Sequence, residues 1–166
     1  AADIPQIRQI GAIPVLNTPK QIALWRASGG GRCHVMLDSG INRLGIGPEQ
    51  FAAPLFEGLD IDILMSHLAS ADENSPQNEA QLSLFRQQAK SVKAKRLSLA
   101  NSAGVFLGRD YHFDLSRPGL AVYGGIPRAE MAKGFALCFA GSSLTSVRPP
   151  SARGFGVWLA GTAAPQ

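Results

Sequence analysis

The chain has 166 residues, 45% of them hydrophobic and 17% charged, with a formal net charge of +4 at pH 7. That is the length of about one domain with a sizeable core, and the composition of an ordinary globular protein rather than a disordered or disulfide-stapled one. No apolar run reaches the roughly 18 residues of a membrane span, no basic segment leads into an apolar signal core, and Cys33 and Cys138 have neither metal-ligand nor disulfide-framework spacing, so the expectations are cytoplasmic localisation, no membrane and no metal.

In chain order, Ile13-Pro14-Val15-Leu16 is the first strand candidate. Thr18-Pro19 supplies a capping side chain and a proline suited to the first helical position. Ile22, Ala23 and Trp25 then carry a helix to about Ser28, closed by Gly29-Gly30-Gly31. Cys33 to Leu37 is the second strand, and Pro48 to Leu59 reads as the second helix. Ile61 to Leu68 is the third strand, with His67 at its C-terminal end. Ser75-Pro76 repeats the cap-plus-proline start, and Leu82, Phe85, Ala89 and Val92 mark one face of the helix that follows. Leu97 to Ala100 is the fourth strand, after which Asn101-Ser102-Ala103-Gly104 can open a short helix. Pro118-Gly119 precedes a fifth strand, Leu120 to Tyr123, ending at Gly124-Gly125.

Strands and helices alternate, and the strands are apolar throughout, which is the pattern of a parallel α/β sheet covered by helices. Both an open doubly wound sheet and part of an eight-stranded barrel fit. No Gly-x-Gly-x-x-Gly follows the first strand and there is no Walker-type loop, which weakens a nucleotide-binding reading. The positive charge is not a nucleic-acid patch. Residues 1–130 carry 13 Lys+Arg against 12 Asp+Glu, so most of the excess comes from Lys133, Arg148 and Arg153 in a tail without acids. The cluster Lys90, Lys93, Lys95 and Arg96 lacks interleaved aromatics and reads as a solvated helix end.

Arg43, His67, Asn101-Ser102 and Arg117 all follow strands or sit between them, on what would be one rim of a barrel. Singly, each has a plain alternative: a surface arginine, a core histidine, a helix cap, an arginine paired with Asp114. Together they suit an anion, with Ser102 at a helix start for a phosphate and Gly119 letting backbone come close to a ligand. No lysine falls at a strand end, so no candidate for an imine-forming residue is present.

Four ordered blocks carry a family resemblance. They are His34-Val35-Met36-Leu37-Asp38-Ser39-Gly40-Ile41-Asn42-Arg43-Leu44-Gly45, then Ser66-His67-Leu68-Ala69-Ser70-Ala71-Asp72 with Gln81-Leu82-Ser83-Leu84-Phe85. Leu99-Ala100-Asn101-Ser102-Ala103-Gly104 and His112-Phe113-Asp114-Leu115-Ser116-Arg117-Pro118-Gly119-Leu120-Ala121-Val122-Tyr123-Gly124 complete the set. The chain resembles the alanine racemases, pyridoxal 5'-phosphate enzymes whose N-terminal domain is an eight-stranded α/β barrel, over about Ile10 to Pro127. The resemblance implies that Arg43 meets the cofactor phenolate and the substrate carboxylate, and that His67 lies by the pyridine ring. It implies that Asn101 and Ser102 are the family's cofactor-binding asparagine–serine pair, the serine contacting the phosphate together with Gly119 and Leu120, and that Arg117 faces the pyridine nitrogen. Leucine at 120 departs mildly from the family's isoleucine, and Met36 stands where many members carry a carbamate-modified lysine.

The resemblance therefore implies a partial (β/α)8 barrel, about strands 4–8, in residues 1–130. Residues 131–166 form a non-matching tail, either frameshifted or a remnant of the start of the family's C-terminal β-domain. The function implied is the interconversion of L- and D-alanine by a homodimer, supplying D-alanine for peptidoglycan. The imine-forming lysine and the opposing catalytic tyrosine match nothing here, so the chain reads as cut from something longer and inactive or nearly so alone. The alternatives are another barrel enzyme of this cofactor class, such as a D-threonine aldolase, and a non-catalytic remnant that binds pyridoxal phosphate or phosphate.

Overall fold

The computed structural model of the chain describes residues 4–131. A short helix, α1 (Ile4–Gln9), precedes β1 (Val15–Leu16) and α2 (Pro19–Ala27). The Thr18 hydroxyl accepts the Gln21 N–H at 3.1 Å and Pro19 occupies the first turn, so α2 starts where its local chemistry says it should. Thr18→Ala is expected to lower stability by about 1 kcal/mol, read as a drop in urea midpoint at unchanged m-value. Arg8 ties α1 to the end of α2: its guanidinium lies 4.7 Å from the Trp25 ring centroid and donates to the carbonyls of Ser28 and Gly30.

β2 (Arg32–Met36), β3 (Asp60–Met65) and β4 (Ala94–Ser98) complete a sheet in the order β1-β2-β3-β4, every pair parallel. Strand order that follows chain order is a singly wound arrangement. It settles the choice between a doubly wound sheet and a barrel segment in favour of the barrel, because a doubly wound sheet reverses its order at a switch point. α3 (Pro76–Ala89) is capped by the Ser75 hydroxyl, which accepts the Gln77 N–H. Leu82 and Phe85 are fully buried, Val92 is buried just beyond the helix end, and Ala89 packs partly buried against the same core, as the periodicity predicts. One sheet face packs Leu16, Cys33, Val35, Leu37, Ile61 and Leu64 against Ile22, Trp25, Leu82 and Phe85 of α2 and α3.

On the opposite face the register slips between Cys33 and His34, so that Cys33 pairs with Ile61 but His34 with Ile63. Asp62 sits at that bulge, 4% exposed, and binds the guanidiniums of Arg32 at 2.7 Å and Arg96 at 2.9 Å. The Arg32 hydrogen bond above all, with Arg96 behind it, holds the Asp62 carboxyl below its ordinary range.

Two expected elements differ. Pro48 to Leu59 is not a helix: only Ala53–Phe56 forms a 3-10 turn, with Ala52 extended at φ −140°. Pro54 in mid-segment removes a helical donor and its ring would strike the carbonyl four residues back. Leu120–Tyr123 is also a 3-10 turn rather than a fifth strand, closed by Gly124 in the left-handed region. The place beside β4 is taken instead by the extended chain before it. The Asp114 N–H donates to Leu97 O, the Leu97 N–H to the Asp114 carboxylate, and the Arg117 N–H to Ala100 O. The expected boundary at 130–131 and the readings of residues 132–166 lie outside the described residues.

Candidate active site

The site begins where β2 ends. The Asp38 carboxylate accepts the backbone N–H groups of Gly40 at 2.9 Å, Asn42 at 3.1 Å and Arg43 at 3.1 Å, folding the Asp-Ser-Gly-Ile-Asn-Arg loop around itself. Asn42 takes φ 55°, which asparagine tolerates. The chain then returns beside its own strand: the Ile46 N–H donates to Met36 O and the Asp38 N–H to Ile46 O, both at 2.9 Å. The Arg43 side chain is left exposed, and the described residues give its guanidinium no hydrogen-bond or ion-pair partner.

His67, one position past the buried Ser66 at the end of β3, is partly buried. Burial first, then the charges of Arg117 and Arg43, pushes its imidazole below the ordinary histidine value. Arg43, His67 and Arg117, from three separate segments, thus share one electrostatic neighbourhood. Arg117 donates to the Ser98 hydroxyl and, at 2.5 Å, to Ser66 O. Both partners are uncharged, and burial pushes the guanidinium down from its usual value. A partly buried cation held only by neutral groups is costly to leave uncompensated, and an anionic or electron-rich ligand relieves that cost.

Asn101 and Ser102 follow β4 at the same end. The Asn101 side chain accepts the N–H of Gly104, the first residue of the 3-10 turn Gly104–Leu107, at 2.8 Å. The Ser102 hydroxyl, on a residue 5% exposed, accepts the Ala121 N–H at 3.1 Å, so it faces the start of the Leu120–Tyr123 turn. Nothing lies within 4 Å of where a Cβ on Gly119 would stand, so the backbone there is open to a ligand. Leu120 is 55% exposed. Met36 is partly buried and pairs in register with Met65. Among the described residues no group of three or more His, Cys, Asp or Glu could hold a metal, and no helix is long and apolar enough to cross a membrane.

Several residues that shape the site carry no warning in the sequence pattern. Asp38 is one, and Ser66 and Ser98, which hold Arg117, are others. A carboxylate ahead of a Ser-Gly pair is a turn signal, but nothing in spacing alone says which N–H groups it will collect.

Acidification from about pH 7 to 5 is expected to lower the unfolding midpoint. His34 and His67 both lie below their ordinary value in the fold, chiefly through burial. His34 faces Asp62, Arg32 and Arg96, and His67 faces Arg117 and Arg43. The unfolded chain takes up protons near pH 6.5 while the folded one does not. Stability is thus fully present above about pH 6.5 and is lost as pH falls through the folded values. His67→Gln is expected to flatten part of that slope in urea melts taken across the range.

A family model for the N-terminal domain of alanine racemase matches residues 1–127. The alanine racemase of Jannaschia sp. (strain CCS1) is 39% identical over 164 residues, covering 98% of this chain and 48% of the relative. That of Rhizobium meliloti (strain 1021) is 43% identical over 123 residues, 68% of this chain and 32% of the relative. The alanine racemase of Bartonella henselae, solved with covalently bound pyridoxal phosphate, superposes with a TM-score of 0.69 at 31% identity, over 75% of this chain and 40% of that one. The biosynthetic alanine racemase of Pseudomonas aeruginosa gives a TM-score of 0.68 at 30% identity, over 81% and 40%. The chain spans about half or less of the length of these relatives. A singly wound parallel sheet and a match over residues 1–127 lead to one assignment: the chain belongs to the alanine racemase N-terminal domain family.

Proposed function

We propose that these residues form the cofactor-binding half of an alanine racemase barrel, and that the site takes pyridoxal 5'-phosphate and alanine. The observation that carries this reading is that the charges of Arg43 and Arg117 both act on the partly buried His67, while Arg117 has only neutral partners among the described residues. The residues fit the group. Ser102 and the open backbone at Gly119-Leu120 would hold the phosphate, Arg117 the ring nitrogen, His67 the ring, and Arg43 a carboxylate. Bound there, pyridoxal phosphate supplies an electron sink that makes the α-proton of an amino acid removable. Arg117 would donate toward the ring nitrogen and would make a second positive charge beside it costly, which would temper that sink and suit proton exchange over competing reactions. Arg43, with no carboxylate partner among the described residues, is disposed to fork to the carboxylate of alanine. Asp38 keeps that arginine at the rim by holding its backbone N–H.

Proton removal and return on opposite faces need two bases. Among the described residues no lysine stands at a strand's C-terminal end: Lys20 lies in α2, Lys90 and Lys93 lie between α3 and β4, and Lys95 pairs with Asp60 at 2.7 Å. Cofactor capture without turnover is therefore the expectation for the 166-residue chain alone, and a homodimer is the assembly proposed for the complete enzyme. Alignment with the Jannaschia relative runs over 98% of the chain, which supports reading residues 131–166 as a continuation toward the second domain rather than a foreign tail. The names of the relatives favour the racemase over a D-threonine aldolase.

The test is spectroscopic. Titrating the 166-residue chain with pyridoxal phosphate is expected to show saturable binding with a free-aldehyde spectrum and no lysine fixed by borohydride. Absence of binding up to millimolar cofactor sinks the reading.

A further inference from the structure

We propose that Gln81 of α3 is the positioning residue that locks the Arg43 loop and the His67 strand end into one arrangement. The inference rests on the cofactor-site reading above for its consequence in binding, but not for its geometry.

Gln81 is 1% exposed, which is rare for an amide side chain and tolerable only when its polar atoms are used. Its Oε1 accepts the Ala69 N–H at 2.9 Å, and its Nε2 donates to His67 O at 2.9 Å and, more weakly, toward the Ser39 hydroxyl at 3.4 Å. One side chain thus holds the backbone on both sides of Leu68 and reaches the loop after β2. The Ser39 hydroxyl bonds that of Ser66 at 2.7 Å, and Ser66 O is the acceptor for Arg117. A Cβ on Gly40 would lie 3.4 Å from Gln81 Cγ, so the loop backbone rests against the same side chain. One turn earlier, Gln77 donates to Gly40 O at 3.0 Å. The Ser39 end of the Arg43 loop, the His67 carbonyl and, through the Ser66 hydroxyl, the residue whose carbonyl takes Arg117 are therefore linked through one buried amide, alongside the Asp38 and Gln77 bonds that also hold the loop. An apolar side chain of the same length would fill the space and satisfy none of these groups.

The experiment is a pH titration of the three histidine ring resonances in the full 166-residue chain, the His67 signal being assigned with His67→Gln. Binding of pyridoxal phosphate is measured alongside. In Gln81→Met, freeing the loop lets Arg43 move off and solvent reach the ring. The His67 titration is expected to move up toward the ordinary histidine value, and affinity for pyridoxal phosphate to fall about tenfold. Ser39→Ala removes one link only and is expected to move His67 the same way by less, so it decides the matter if Gln81→Met does not fold. A His67 titration unchanged in the folded variants overturns the proposal, as does cofactor affinity within twofold of the parent in a chain that binds it. If the parent binds no pyridoxal phosphate while His67 still shifts in the variants, the positioning role stands and the cofactor reading falls.

Discussion

Gly45→Ala is expected to cost on the order of 3–5 kcal/mol, a large share of the roughly 5–15 kcal/mol that holds an ordinary domain together. Gly45 has φ 118°, a conformation that side chains rarely adopt. A Cβ there would stand 2.7 Å from Asp38 N and from Leu37 C, and 3.0 Å from Leu37 O. All three are backbone atoms of the strand end, so no rotamer change relieves the clash. The chain would have to peel away, breaking the 2.9 Å hydrogen bonds of Ile46 with Met36 and Asp38 and drawing Ile46, fully buried, out of the core. Gly58→Ala is the control. Gly58 also has positive φ, at 73°, but nothing lies within 4 Å of its Cβ position. It is expected to cost only the left-handed backbone penalty, about 1 kcal/mol. Urea melts of the two variants separate clash from conformation, and equal midpoints would sink the argument that Gly45 is fixed by contact with the strand.

That clash shows what the sequence makes legible and what it hides. β2 and β3 were readable because apolar runs between turn signals need only local information. β4 was readable only at Leu97 and Ser98: it begins at Ala94 and takes in Lys95 and Arg96, which the sequence placed at a helix end and which pair with Asp60 and Asp62 of β3. The starts of α2 and α3 were readable because Thr18-Pro19 and Ser75-Pro76 satisfy helix ends with neighbours. The failures needed something distant or an ignored local veto. Pro54 was a local veto on the Pro48–Leu59 helix. Leu120–Tyr123 has the composition of a strand, yet its place beside β4 is filled by residues 114–117, whose pairing rests on the Asp114 carboxylate.

The site divides the same way. His67, Asn101 and Ser102 follow the ends of β3 and β4, Arg43 sits in the loop after β2 and Arg117 in the extended segment beside β4; the expectation that such groups converge comes from the parallel topology itself. The charges of Arg43 and Arg117 both reach His67, and the Ser102 hydroxyl accepts the Ala121 N–H in the Leu120–Tyr123 turn. What spacing could not show is the scaffold behind them. Gln81 looks like one of several glutamines on a polar helix; only the fold shows that it faces inward. Gln88 is also buried, yet its Oε1 finds no partner among the described residues, so burial alone does not mark a working amide.

Arg117→Met is expected to weaken pyridoxal phosphate binding by roughly 30–100-fold, the worth of a charge-assisted hydrogen bond in a partly desolvated site, about 2–3 kcal/mol. Methionine keeps the length of the stem and loses the donors. Two effects must be kept apart, because Arg117 also serves Ser66 O and the Ser98 hydroxyl. Removing those bonds is expected to cost about 1–2 kcal/mol of stability, and a global loss of that size leaves the folded fraction nearly unchanged at 25 °C. Affinity measured by cofactor fluorescence on folded protein therefore reports the contact to the ligand. Arg117→Lys sharpens the test. A single ammonium can reach one acceptor or the ligand, but it cannot fork to both. Lysine is expected to recover stability toward the parent while recovering less of the affinity. Full recovery of affinity by lysine would mean that the site needs only positive charge near the ring, and unchanged affinity in Arg117→Met would remove Arg117 from the cofactor site altogether.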